Sequence, residues 1–249
     1  MSFPNVIHGT EQESLNVYTT QKVPVGTKMV IEDGRTYRYV KNGAVLAVVG
    51  SLYQSAVPSA DQADEAIDTL AAGVKALTGV GSTTGAVVAD EFINGYIHMS
   101  TAFPLLRIKD NPTIAIAGTG TIDVHTPTPL AIVAATTASY FKNPWYGVII
   151  HPSPPTALEV GVAVSPIPAD GFGWVQTRGP AAVLTSGTLV IGQEVIAGAT
   201  VDGSVSPRNF TLAEGAPNTL DGTQDQPTIG YCIYVQATTE WSPIFLTME

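Results

Sequence analysis

The sequence predicts a mainly β fold: short-stranded β-sandwich or barrel lobes with one short helix and an extended N-terminal arm. Three observations predict it. Gly, Pro and Thr punctuate the chain roughly every 8–12 residues from Gly79 onward, the turn spacing of sandwiches and barrels. Asp33-Gly34-Arg35 sits between two apolar-alternating runs, and an Asp-Gly turn in that setting is a hairpin signal. Only one segment, 59–78, repeats its apolar residues at helical spacing.

Taken in order, residues 1–21 hold few apolar anchors and are expected to form an arm that orders against a partner. Val23-Pro24-Val25-Gly26-Thr27 reads as an edge strand and turn, because proline cannot donate to a ladder. Runs 28–32 and 36–41 flank the Asp-Gly turn, with Tyr37 and Tyr39 on one face, and 44–49 reads as a third strand. Ser59 and Gln62 fit a capping box ahead of Ala63, Ala66, Ile67, Leu70, Ala71, Val74 and Leu77, which places the helix at 59–78. Strands are expected at 86–89, 95–99, 105–109, 113–116, 121–124, 132–135, 147–151, 158–164, 173–177, 181–184, 195–197, 229–235 and 244–248. The proline-rich His151-Pro152-Ser153-Pro154-Pro155 divides the remainder into an N-terminal lobe, 22–150, and a C-terminal lobe, 151–249. Residues 209–227 form a long Gly/Pro/Asp/Thr loop, a length usually tied to function or interfaces.

Composition narrows the function classes. Charged residues make up 13% of the 249 and hydrophobic ones 45%, against roughly a quarter charged in an average soluble domain. A surface so poor in charge suits an oligomer or assembly subunit; the alternative is a monomer covered by Thr, Ser, Asn, Gln and Gly. The formal net charge is −10 and the eleven Lys and Arg are scattered singly, which disfavours nucleic acid and anionic membranes. The longest apolar stretches, such as 130–135, fall short of the roughly 20 residues of a spanning helix. The first residues lack the charged and apolar regions of a secretory signal, so synthesis in a cytoplasm is expected. The single cysteine, Cys232, lies in an apolar run and reads as a packing thiol.

No constellation carries evident catalysis, and the chain reads as a non-enzyme without a cofactor. Gly79-Val80-Gly81-Ser82-Thr83-Thr84-Gly85 lacks the Lys-Ser/Thr pair of a phosphate loop and precedes a strand-like run. His8, His98, His125 and His151 show no zinc-ligand spacing, and no Gly-x-Ser-x-Gly elbow occurs, although a triad assembled only by the fold stays open. Asp61, Asp64, Glu65 and Asp68 read as a solvated helix face. Asp221-Gly222-Thr223-Gln224-Asp225 offers two carboxylates to a cation but lacks the further ligands of a calcium loop. Asn209-Phe210-Thr211 satisfies a glycosylation sequon, accidental without a secretory signal. Trp145, Trp174 and Trp241 sit beside apolar strand patterns, where rings fill cores or subunit contacts more often than they stack on sugars.

The order of Asp33-Gly34-Arg35-Thr36-Tyr37-Arg38-Tyr39, Asn94-Gly95-Tyr96-Ile97, Leu106-Arg107-Ile108-Lys109, Pro144-Trp145-Tyr146-Gly147-Val148, Gly173-Trp174-Val175-Gln176-Thr177-Arg178-Gly179 and the Ile229-Gly230 to Phe245-Leu246-Thr247 ending resembles virion structural proteins of tailed bacteriophages, in particular capsid decoration or cement proteins. The resemblance covers most of the chain from about residue 30 and brings no catalytic residues. It implies a virion protein on the outer capsid surface, bound to the major capsid protein and to itself as an oligomer, commonly a trimer, without nucleic acid or membrane. Under it, the expected contact residues are Phe3, Pro4, Val6 and Ile7 in the arm, with Asn209, Phe210 and Leu212 in the long loop. The alternative is a tail- or fibre-associated module that binds host glycans. A hydrolase with a fold-assembled site is the third reading.

Overall fold

The computed structural model describes residues 6–208 and 226–249. The chain is mainly β and divides into two compact units, one built before residue 57 and after residue 143, the other from residues 57–143. The leading segment carries β1 (Val6–His8), a one-turn helix α1 (Glu11–Ser14), β2 (Lys28–Val30), β3 (Thr36–Asn42) and β4 (Leu52–Gln54). The inserted unit carries a 3-10 turn (Ala60–Gln62), β5 (Glu65–Ala66), β6 (Ala76–Ser82), β7 (Tyr96–Met99), β8 (Leu106–Asp110), β9 (Gly118–Val124) and β10 (Thr137–Phe141). The trailing segment adds β11 (Tyr146–Ile150), β12 (Glu159–Ala163), β13 (Phe172–Leu184), β14 (Glu194–Ala197), β15 (Val205–Pro207), β16 (Gly230–Cys232) and β17 (Trp241–Thr247).

In the first unit the strand order is β1-β2-β3-β11-β4-β12-β13-β17-β16-β14-β15, and an additional β3–β13 pairing closes β3, β11, β4, β12 and β13 into a barrel-like ring. The hairpin around Gly34 forms as the Asp-Gly turn predicts, pairing Met29 with Tyr37. Each ring strand sends side chains inward: Val40, Tyr53, Val148, Val160 and Val175 meet in one buried cluster. Tyr39 and Trp174 point to the other side of β3 and β13, where they join Met29, Tyr37 and Phe172 under β2. A third cluster packs Leu52 and Val162 against Val183, Val195, Ile229, Ile244 and Leu246. Cys232 lies in this cluster, and burial pushes its thiol pKa up, as befits a packing residue.

Besides β12, β13 pairs with two further strands in succession. Its first half pairs with β3 from Phe172↔Lys41 to Arg178↔Thr36, and its second with β17 from Arg178↔Thr247 to Leu184↔Trp241. A register shift falls between Gln176 and Arg178 on the β3 side. Gly179 adopts φ +88°, and a Cβ there would meet the Arg35 side chain at 2.9 Å, so glycine is required on both counts. The buried Gln176 amide donates to the carbonyls of Arg178 at 3.0 Å and Pro180 at 2.8 Å, bracing the bend from inside.

Several expectations are corrected. Residues 6–18 are not a free arm: β1 pairs in parallel with β2, Glu11 ion-pairs with Arg35 at 2.6 Å, and Tyr18 exchanges backbone hydrogen bonds with Phe172 at 2.8 and 2.7 Å. The 44–49 run is not a strand. No helix forms over 59–78 either. Ser59 does cap, accepting from the Asp61 amide, but only a 3-10 turn follows, and Asp64 enters the left-handed region at φ 54°. The acidic side chains explain the difference, because they bind across to β6 and the turn after it, Glu65 from a buried position and Asp61 and Asp68 from the surface. Asp61 accepts from the Thr84 hydroxyl, buried Glu65 from the Thr83 amide and hydroxyl at 2.7 and 2.8 Å, and Asp68 from the Thr78 hydroxyl at 2.6 Å. These carboxylates lie directly against Gly85, Gly81 and Gly79, where a Cβ would collide with them. Ile67, Leu70 and Val74 still reach the unit's core of Leu77, Ile97, Ile108, Ile122 and Tyr140.

The division into lobes at 151–155 also gives way. Those residues connect β11 to β12, both of which flank β4, so they belong inside one unit. No helix among the described residues is long and apolar enough to cross a membrane.

Two substitutions test these braces by urea unfolding. Gln176→Ala leaves two carbonyls at the β13 bend without a donor and is expected to lower stability by about 2 kcal/mol. Glu65→Ala is expected to lose a similar ~2 kcal/mol, and Glu65→Gln less, because an amide oxygen still accepts from Thr83.

Candidate interaction surface

The segment 241–248 carries apolar residues at both parities, and the fold covers only one of them. In β17, Ser242, Ile244 and Leu246 are buried, while Trp241 is 49% and Phe245 40% exposed. Beside it, Val183 of β13 is buried and Arg178, Pro180 and Ala182 face out; in β16, Tyr231 is 42% exposed between buried Gly230 and Cys232. The register places Pro180, Phe245 and Tyr231 side by side, Ala182 opposite Pro243, and Leu184 opposite Trp241. Cross-strand partners project to the same side of a sheet. The outer face is therefore a continuous apolar surface with Arg178 as the only ionised side chain on the β13, β17 and β16 strands, the reverse of the polar-out alternation of a solvated sheet.

A loop extends this surface. Val45, Leu46, Val48 and Val49 are all exposed, Val45 by 75%. Their backbone is nonetheless fixed. The buried Asn42 amide donates to the Val45 carbonyl at 2.7 Å, the Ala47 amide to the Ile167 carbonyl at 2.8 Å, and the Val48 amide to the Tyr53 hydroxyl at 2.9 Å. The Trp241 indole donates to the Val49 carbonyl at 3.3 Å, which joins the loop to the sheet face. A loop whose amides are anchored inward while four aliphatic side chains point outward is organised for contact before any partner arrives.

Of the expected contact residues, two are among the described residues. Val6 and Ile7 lie in β1, Val6 at the surface and Ile7 packed on the Tyr37 cluster. Phe3, Pro4, Asn209, Phe210 and Leu212 lie outside the described residues, as do most of the long loop and the Asp221–Asp225 stretch. Of the three tryptophans, Trp174 is 2% exposed in the core and Trp145 lies beneath the Arg38 guanidinium, 5.0 Å from its ring. Trp241 alone of the three is an exposed ring.

The structure brings one histidine near a hydroxyl and a carboxylate. His151 follows β11, and the backbone amide of Ser153, two residues on, donates to Asp202 at 2.9 Å. The imidazole is fully buried, and among the described residues neither ring nitrogen has a side-chain or backbone partner at hydrogen-bonding geometry. Burial holds its pKa below the ordinary range, opposed by the charges of Glu159 and Asp202. The loop by which Asp202 approaches is held through Gly203, whose amide donates to the His151 carbonyl at 2.8 Å. Among the described residues, no three His, Cys, Asp or Glu side chains gather as a metal-holding group.

No family model, curated protein or solved structure matches the chain, and its function is accordingly read from this surface.

His151 makes a pH prediction. In the unfolded chain the imidazole protonates near its ordinary value of 6.5, and in the fold only at lower pH. Between those values the unfolded state binds the extra proton, so this contribution to stability is intact above pH 6.5 and is lost as pH falls through it, by up to about 1.4 kcal/mol per pH unit. The urea midpoint is expected to fall between pH 7.5 and 5.5, and His151→Leu to flatten that part of the profile.

Proposed function

We propose that this protein is a non-enzymatic assembly subunit, and specifically a phage head protein that binds the outer capsid lattice and stabilises it. The observation that carries the reading is the rigid, largely apolar surface, with Arg178 as its one ionised side chain on the strands, formed by the Val45–Val49 loop and the exposed face of β13, β17 and β16. Its chemistry favours a broad, dry protein contact over a small ligand, since it presents aromatic and aliphatic side chains on fixed backbone with few polar groups to orient a substrate. The net charge of −10 turns the rest of the molecule away from packaged nucleic acid and towards solvent. The resemblance to cement proteins supplies the capsid as the partner, and a contact repeated over a shell multiplies weak individual affinities.

The test is co-sedimentation of the purified protein with expanded heads of the encoding phage that lack it. Wild-type protein is expected to saturate the heads, and the double substitution Val45→Asp with Leu46→Asp to reduce occupancy at least tenfold while leaving urea stability unchanged. Failure of the wild type to bind, or full occupancy by the variant, overturns the capsid assignment of this surface.

A further inference from the structure

A fully buried histidine lies beneath the β14–β15 hairpin, and we infer that the two form an acid-released latch: proton uptake by His151 undocks the hairpin tip, residues 199–203, from the barrel-like ring. The device belongs to the first unit alone and stands whether or not the assembly reading holds.

The docking is made by a few named bonds. The His151 amide donates to the Leu52 carbonyl at 3.1 Å, the Leu52 amide to the Gly203 carbonyl at 2.7 Å, and the Gly203 amide to the His151 carbonyl at 2.8 Å, so β4, the end of β11 and the tip meet at one point. The Ser153 amide adds a bond to the Asp202 carboxylate at 2.9 Å. The approach is close: Gly203 sits at φ +71°, and a Cβ there would lie 2.8 Å from the side chains of Ile150 and Ser51. The hairpin also holds its own shape, through the Gly198 amide on the Ser204 carbonyl at 2.8 Å and the Ser204 hydroxyl on the Val201 carbonyl at 2.7 Å. What can release is therefore the docking of the tip.

The side chain lies under that docking. The register Ile149↔Gln54 and Ile150↔Tyr53 continues to His151 opposite Leu52, and cross-strand partners project to the same side. Leu52 packs on that side against Ala197 and Val205, the pair that closes the hairpin. A neutral imidazole is tolerated there, whereas an imidazolium carries an N–H on both nitrogens and, among the described residues, meets no acceptor for either. The ionised groups acting on the ring are Glu159 of β12 and Asp202 of the tip; both favour the proton, neither pairs with the ring, and burial outweighs them. From β4 and β11 the neighbours on the same side are Leu52, Gln54 and Ile149, none of them titratable. Undocking the tip lets water reach the ring without unpairing β3 from β13. The docked form excludes a proton that the undocked form takes up near the ordinary value of 6.5. Docking is accordingly intact above pH 6.5, and the undocked population grows as pH falls below it, by up to about tenfold per pH unit until the docked form is protonated as well.

Amide hydrogen exchange of the full chain, followed by NMR at low urea concentrations, separates this local release from global unfolding, which exposes the same ring. The amides of Leu52, Ser153 and Gly203 report on the latch, and those of the β3–β13 ladder on the ring. In the wild type the latch amides are expected to be less protected than the ladder amides and nearly insensitive to urea, the mark of a local opening. Their protection factors are expected to fall at least tenfold between pH 7.5 and pH 5.0. His151→Leu is expected to remove that fall. Gly203→Ala, which forces the tip off Ile150 and Ser51, is expected to leave the latch amides poorly protected at both pH values and to bring the His151 titration up to about 6.5, from below it in the wild type. Latch amides that exchange only in step with the ladder, with the same urea dependence, overturn the inference, and this wild-type measurement decides it even where a variant fails to fold. A fall in protection that persists in His151→Leu overturns it as well, as does a His151 titration unchanged by a folded Gly203→Ala protein.

Discussion

The first unit depends on one strand being held in two places. β13 closes the barrel-like ring with its first half and founds the outer sheet with its second, and the hand-over occurs within the four residues from Gln176 to Gly179. At that bend the backbone departs from the β3 ladder, and two carbonyls turn to a side chain instead of a neighbouring strand. Gln176 meets both with a single amide group while fully enclosed, where an unmade hydrogen bond is most costly. Pro180 fits directly after it because that half of β13 has β17 on one side, so a missing N–H costs no ladder bond. The register of β17 follows from this brace. A slip of one residue would bury Trp241 and Phe245 and expose Ile244 and Leu246, so the identity of the outer face is decided at Gln176, far from the face itself.

What was legible in the sequence was local. The Asp33-Gly34 hairpin, the facing of Tyr37 and Tyr39, and the strands around residues 97, 107, 122, 148 and 161 follow from turn chemistry and alternation over a few residues. The division into units was not, because it is set by pairings such as β3 with β11, which join segments about a hundred residues apart and leave residues 57–143 as an insertion. Nor was the 44–49 loop: its valines have strand propensity, but its backbone bonds go to Asn42, Ile167, Tyr53 and Trp241 singly, not to one neighbouring strand. The apolar character of 241–248 at both parities was visible and reads as a strand buried on both faces. Only the strand order reveals which parity stays uncovered.

The second unit shows why the helical periodicity at 59–78 misleads. Alanines at helical spacing contribute little burial, so the stripe was weak in energy although regular in sequence. Against it stood three carboxylates, each with a threonine hydroxyl and a bare glycine available on the segment 78–85. An extended backbone lets all three bind at once, whereas a helix would place them on one turn-spaced stripe facing water. Three charge-assisted hydrogen bonds, one of them accepted by buried Glu65, outweigh solvated carboxylates on a helix, and the local propensity yields.

The same competition explains the surface. A sheet face that stays apolar in water gives up solvation that polar residues at Pro180, Ala182, Trp241, Pro243 and Phe245 would have kept, and gains nothing for the isolated fold. Stability of the monomer therefore does not account for it. The inward-facing residues Val183, Ile244 and Leu246 already supply the core contact that holds these strands. Under the proposed assembly role, association accounts for it, since the hydrophobic gain is realised when the face is covered, and the fixed strands and anchored loop lose little conformational freedom in the process. A mobile arm of the kind the sequence suggested would have to lose ordering entropy on binding, whereas the structure already commits Val6–His8 to pairing with β2.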